Sequence, residues 1–254
     1  ANTSKQTRDV LLAQLLEVGV KATATTTSPV GIVLENPGRV EDLFGYDEGL
    51  WQVQDEAAQL VGVYAQVPPT AKVLDACAAP GGKSCHLAET NEVLAIDLHQ
   101  NKLPKIQSEA KRLGLTERLR TKAMDASKIP DDFGEFDVVM VDAPCSGLGT
   151  LRRHPELRYR RTEKDFASLA TLQREILESC QQRVAPGGLL VYAVCTTDPT
   201  EGADQIELFL RSHPDFTAES PRVQGLPLVQ GYLRTLPGPE GYDGFFAARL
   251  RRMY

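Results

Sequence analysis

The chain has 254 residues, 42% hydrophobic and 24% charged, with a formal net charge of −6 at pH 7. That length suits one large α/β domain, or one domain with a small appendage, and the composition is that of a soluble globular protein. No apolar run approaches the ~18 residues of a membrane span, the opening ANTSKQTRDV has no apolar signal core, and an acidic total weighs against a uniformly basic nucleic-acid module.

From the N-terminus, residues 7–17 read as a helix, because Leu11, Leu12, Leu15 and Leu16 recur at helical spacing. Two β-like stretches, 21–27 and 31–35, precede a turn-rich segment, and 52–65 reads as a second helix. Val67-Pro68-Pro69-Thr70 then breaks the chain. Residues 1–66 are therefore expected to form a small N-terminal α/β appendage, and 67–254 the main domain. In the main domain strands are expected at 72–75, 93–97, 119–123, 136–141, 189–194 and 241–249. Helices are expected from 84, over 102–113 with Gly114 closing it, over 165–179 and over 201–211, and Pro186-Gly187-Gly188 reads as a turn. Strands alternating with helices mean a mostly parallel sheet covered on both faces.

Three motifs fall at strand ends. The first is the glycine-rich turn Asp75-Ala76-Cys77-Ala78-Ala79-Pro80-Gly81-Gly82-Lys83-Ser84. A strand, a tight glycine turn and a helix start make a cofactor cradle, because the backbone approaches the ligand closely and the helix offers free N–H groups. The G-x-G-x-x-G of dinucleotide folds is missing. A P-loop is nearly matched by Gly82-Lys83-Ser84, but Cys77 replaces its first glycine, which leaves a P-loop-like NTPase as a rival reading. The alternative is S-adenosylmethionine, which has no phosphates and wants carboxylates instead. Asp97 ends the second strand, where an acid can meet ribose hydroxyls. Asp125 follows the third, where it can meet the adenine amino group.

The other motifs are Asp142-Ala143-Pro144-Cys145-Ser146 and Val194-Cys195-Thr196. Carbon 5 of cytosine is a poor nucleophile, and its methylation requires a thiolate to add first to carbon 6. Cysteine suits that step, being strongly nucleophilic and a ready leaving group, provided nearby positive charge lowers its pKa. Asp142, three residues before Cys145, can meet ring N3. The residues alone do not order the two thiols. Cys85 and Cys180 read as buried structural residues. No paired C-x-x-C spacing suggests a metal, and none is expected.

After the Cys145 loop come Arg152, Arg153, Arg158, Arg160, Arg161 and Lys164, against only Glu156 and Glu163. An isolated basic run is usually a solvated face. Its place beside the thiol loop makes Arg152, Arg153, His154 and Arg158 candidate RNA contacts.

The stretches 75–84, 142–146 with 152–155, and 191–196 resemble the Sun (Fmu) family of RNA cytosine-5 methyltransferases, and the likeness runs from the first helix through Asp243-Gly244-Phe245-Phe246. The resemblance implies a Rossmann-like S-adenosylmethionine-dependent enzyme acting on RNA, 16S ribosomal RNA in its bacterial branch. It implies that Cys77, Ala78, Ala79, Pro80, Gly81, Gly82 and Lys83 line the cofactor, with Asp97, Asp125 and Asp142. It further implies that Cys195 adds to the base and that Cys145 assists release of the product. Val194 stands where the family has Thr, with an expected effect on thiolate polarisation. The NusB-like RNA-binding domain of the bacterial enzymes has no counterpart in this sequence. A cytoplasmic monomer is expected, with a catalytically silent RNA-binding module and an N-methyltransferase as further alternatives; the latter would want an N-P-P-Y-like loop at 142–145.

Overall fold

Apolar runs of four to eight residues, separated by glycine and proline turns, cannot bury both faces alone and pair instead into one sheet. The computed structural model describes residues 1–238 and 241–254. At the N-terminus α1 (Arg8–Glu17) starts at Thr7, whose hydroxyl accepts the Val10 N–H. Its Leu11 and Leu15 pack with the antiparallel pair β1 (Ala22–Ala24) and β2 (Ile32–Leu34) and with Trp51 in a separate apolar cluster. Then comes α2 (Glu56–Ala65). It begins four residues later than the periodicity suggests, because Asp55 caps it through the Ala57 N–H at 2.9 Å.

The rest of the chain forms β3 (Lys72–Asp75), α3 (Gly82–Ala88), β4 (Glu92–Asp97), α4 (Leu103–Leu113), β5 (Leu119–Ala123), β6 (Phe136–Asp142), α5 (Leu157–Arg160), α6 (Glu163–Gln181), β7 (Val184–Val194), α7 (Ala203–Ser212), β8 (Phe216–Ala218), β9 (Leu228–Val229), β10 (Tyr232–Thr235) and β11 (Phe245–Arg252). The sheet order is β5-β4-β3-β6-β7-β11-β10-β9, with β8 beside β11. The run from β5 to β7 is parallel, as alternation of strands and helices demands. The strands beyond β7 are added antiparallel. Successive residues face opposite sides, so Val191 and Ala193 meet α2, α3 and α4, while Leu190, Tyr192 and Val194 meet α6 and α7.

Two expectations are corrected here. Pro186-Gly187-Gly188 is not a turn ahead of a strand beginning at 189; it is carried inside β7 as an irregularity, where the β6 partner shifts from Val184 at Phe136 to Leu189 at Val138. The last strand starts at Phe245 rather than 241. Strands β8, β9 and β10 were not expected, being two to four residues long and without periodicity. In addition, α2 packs within the main core, its Leu60, Val61 and Tyr64 fully buried and the Tyr64 hydroxyl donating to the Gly231 carbonyl at 3.0 Å. We therefore propose the seam between appendage and main domain at 52–55 rather than 66. Among the described residues no helix is long and apolar enough to cross a membrane.

If α2 is core, Leu60→Ala should cost about 2–5 kcal/mol of unfolding free energy. In urea titrations the Trp51 fluorescence and the far-UV dichroism should shift together. A cost well below ~1 kcal/mol would place α2 outside the core, and a shift in the dichroism alone would place the Trp51 cluster outside the cooperative unit.

Candidate active site

The chain leaves β3 for β4 and β5, then returns to β6 on the other side of β3. Ligands of open α/β sheets sit at such a reversal, beyond the carboxyl ends of the strands. Asp75, Asp97, Asp142 and Cys195 all stand at those ends.

The turn after β3 is held by the end of β4. The Ala78 N–H donates to the Ile96 carbonyl at 3.0 Å, and the Ala79 N–H to Asp97 Oδ2 at 3.1 Å. Gly81 has φ +110° and lies against Ile106, so neither an L-residue's backbone nor its Cβ fits easily. Gly82 then opens α3, leaving the first N–H groups of the helix facing the strand ends. Asp97 also accepts the His99 N–H at 2.9 Å. Met124 donates its N–H to the Asp97 carbonyl, which sets Asp125 beside that strand end. Asp125 is half-buried, and its carboxyl is held below its ordinary range first by the Ser127 hydroxyl, 2.7 Å from Oδ1. This is a carboxylate-lined cradle, and it fits an adenosyl cofactor. Lys83, which a P-loop would aim at phosphate, instead binds Asp142 Oδ2 at 2.7 Å and lies over the Phe245 ring. Burial works against the Lys83 charge, but Asp142 outweighs it and raises the ammonium pKa.

The thiols meet because their strands do. Asp142 pairs with Ala193 across β6 and β7, and the Ala143 N–H donates to the Ala193 carbonyl at 2.9 Å. Two residues further on, Cys145 Sγ and Cys195 Sγ are 3.4 Å apart. Both cysteines are reduced and partly exposed. The shared hydrogen bond, then burial and surrounding negative charge, hold Cys145 well above its ordinary value. The same contact with Cys145, assisted by Lys83, brings Cys195 down against the effects of burial and Asp142. Burial pushes Cys85 and Cys180 up to about 12, which leaves them inert. Val194 is fully buried in the cluster on the opposite face from Cys195, so the side chain there packs and does not polarise the thiol.

Around the pair, Ser146 Oγ and Thr196 Oγ1 lie 2.9 Å apart, and Arg161 Nε donates to the Ser146 carbonyl at 2.9 Å. Gly149 donates its N–H to the Cys195 carbonyl at 3.0 Å and accepts the Gly244 N–H at 2.8 Å. A side chain at 149 would overlap the Gly244 carbonyl. The basic segment divides. Arg153 forks onto the fully buried carboxylate of Asp243, and Arg152 lies 3.4 Å from Asp55 Oδ2. His154 sits 3.4 Å from Glu156. Arg158 is exposed on α5, with no ion pair among the described residues. Sequence reasoning missed Asp55, Asp243 and Glu201. Each is a single acid in a turn or cap, and only the fold shows what faces it.

A parallel sheet with a carboxylate-lined glycine turn at its reversal is the Rossmann-like fold of S-adenosylmethionine-dependent methyltransferases. Residues 65–251 match the family described as 16S rRNA methyltransferase RsmB/F, and the chain belongs to that family. It is 41% identical over 260 residues to ribosomal RNA small subunit methyltransferase B of Pseudomonas syringae pv. tomato, covering 98% of this chain and 58% of that protein. The protein of the same name from Salmonella newport is 39% identical over 254 residues, with the same coverage. The chain thus spans little more than half the length of these relatives. Among solved structures PH0851 is 32% identical, with a TM-score of 0.90 over 99% of this chain and 58% of that one. NSun6 from Pyrococcus horikoshii with SFG shares the fold at 21% identity, with a TM-score of 0.87 over 100% of this chain and 89% of that one.

Burial of Asp75, opposed by the Ser84 hydroxyl 2.5 Å away, raises its carboxyl from 3.8 to about 6. A raised acid contributes stability that is complete below its unfolded pKa and lost as pH rises through its folded one. Asp75→Asn should therefore remove about 2 kcal/mol of the stability loss between pH 4 and pH 6. Urea unfolding at several pH values reads this; an unchanged slope would contradict it.

Proposed function

We propose that this chain methylates carbon 5 of a cytosine in small-subunit ribosomal RNA through a covalent bond between Cys195 and the base. The observation that carries the reading is the 3.4 Å thiol pair beside the Lys83–Asp142 bridge, at the edge of the adenosyl cradle. Residues 77–83 with Asp97, Asp125 and Asp142 would hold S-adenosylmethionine. When bound, it supplies an electrophilic methyl group. An N-methyltransferase would need no thiols, and a P-loop enzyme would not commit its lysine to a carboxylate.

In this reading the Cys195 thiolate adds to carbon 6, and the electron pair of the ring double bond moves toward carbon 5. N3 takes a proton from the carboxyl of Asp142 in its acid form as charge reaches the ring, and returns it when the adduct breaks down; Oδ2 of that carboxyl is held by Lys83. Carbon 5 becomes the nucleophile. Once it is substituted its proton leaves to a base, the sulfur–carbon 6 bond breaks, and the thiolate returns to Cys195. Cys145 assists that release. The target base must be splayed out of its strand to reach a thiol between two loops. Arg158 faces solvent and is free for phosphate. Arg152 and Arg153 act through Asp55 and Asp243, holding the loop rather than the RNA. The first 51 residues are proposed to help grip RNA.

With labelled methyl donor and ribosomal RNA, Cys195→Ser should lower transfer by a factor of about a thousand or more, since Ser is a far weaker nucleophile at neutral pH. Cys145→Ser should retain a covalent protein–RNA adduct that survives denaturing electrophoresis. Full transfer by the Cys195 variant would remove it as nucleophile, and an adduct found only in that variant would reverse the two roles.

A further inference from the structure

Glu201 lies six residues beyond Cys195, just ahead of α7, and is completely buried. Its Oε1 accepts the Ser146 backbone N–H at 2.8 Å and Gln173 Nε2 at 3.0 Å. The same Gln173 nitrogen donates to the Pro144 carbonyl at 2.9 Å. The Glu201 carbonyl accepts the Tyr192 hydroxyl at 2.6 Å. Glu201 and Gln173 together thus grip the residues on both sides of Cys145, and the Glu201 backbone ties them to the strand that delivers Cys195. Its second oxygen, Oε2, is buried with no hydrogen-bond partner among the described residues.

A mechanical tether does not need that oxygen. A neutral amide would offer the same acceptor at Oε1 without the cost of a buried, half-satisfied carboxylate. The charge itself is the part left to explain, and the two thiols differ in the charges around them. Cys195 has Lys83 and Arg153 in its field, with Asp142 opposing. Cys145 has Glu201, with Tyr192 on β7 and the Arg161 guanidinium on its carbonyl. An anion on the Cys145 side disfavours a second anion there.

We propose that Glu201 is the positioning residue of the thiol pair, holding Cys145 against Cys195 and keeping their shared proton on Cys145, so that Cys195 is the sulfur that reacts. The proposal rests on the reading of Cys195 as nucleophile, but it concerns the free protein and is tested without RNA. It converts two cysteines of similar exposure into an acid and a nucleophile.

The test uses the full chain and two thiol reagents. Phenylarsine oxide bridges paired thiols with loss of one water and reads their proximity. Iodoacetamide, followed by peptide mass spectrometry across pH 6–10, reads which sulfur is the thiolate. Wild type should bind one arsenical across Cys145 and Cys195 and should alkylate Cys195 about tenfold faster than Cys145 at pH 7. Glu201→Gln should keep the arsenical, bring the two alkylation rates within about threefold, and lower the pH at which Cys145 becomes reactive. Glu201→Asp, which restores the charge, should recover the preference for Cys195. A purely structural role would lower the unfolding temperature of both variants and leave the order of labelling unchanged. That result, or equal effects of Asp and Gln, would overturn the proposal. Should Glu201→Gln fail to fold, wild type decides: labelling of Cys145 ahead of Cys195 at pH 7 refutes it. Loss of the labelling order leaves the proposed reaction standing, whereas methyl transfer by Cys195→Ser removes the reaction and leaves the labelling result intact.

Discussion

Two neighbouring parallel strands end together, and the chemistry of this chain depends on that. The last rung between β6 and β7, from the Ala143 N–H to the Ala193 carbonyl, fixes where both chains leave the sheet. Hydrogen bonding within a parallel ladder sets this register, and the side chains buried on each face prevent a slip, because a one-residue shift would turn Val194 toward the cleft and Cys195 into the core. The 3.4 Å sulfur contact is therefore a property of the whole sheet. It is also a thiol–thiol contact in a partly dry site, where a proton held by one sulfur is withheld from the other and neighbouring charges decide which.

The same logic distributes charge along the cleft. Lys83 leaves the glycine turn and reaches across to β6, so the element proposed to cradle the cofactor also answers the carboxylate proposed to meet the base. Asp75, one turn below, stays buried against Ser84 and adds another potential negative charge to the floor. Carboxylates crowded at strand ends raise one another's pKa unless a cation intervenes, and Lys83 is the cation that does so. On the far side of the thiols, Asp243 and Asp55 take up Arg152 and Arg153. Half-exposed guanidiniums held by buried carboxylates are more firmly placed than free surface arginines, because only one partner must be ordered.

Much of this was legible in the residues. Strands β3 to β7 showed as apolar runs bounded by turn residues, and the glycine turn, Asp97, Asp125, Asp142 and the two cysteines announced themselves by position after those strands. What escaped was set by tertiary context. The Pro186-Gly187-Gly188 segment has the composition of a turn, yet the ladder with β6 resumes beyond it and holds it in β7 as a bulge. Strands β8 to β10 are too short to show a period. Helix α2 precedes the Pro68-Pro69 break but packs after it, on the main core, because its apolar face finds a larger surface there. The arginines after the thiol loop read as a basic face, since nothing local reveals that Asp55 and Asp243, 97 and 90 residues away, come to meet them.

The close approach at Gly149 has a wider mechanical meaning. Its N–H meets the carbonyl of Cys195 and its own carbonyl meets the N–H of Gly244, so backbone alone joins the end of β7 to the start of β11. Side chains can absorb a displacement by changing rotamer, but a glycine flanked by carbonyls has no such slack. The antiparallel edge of the sheet thus works as a brace on Cys195, and a shift at that edge would be felt at its sulfur with little loss.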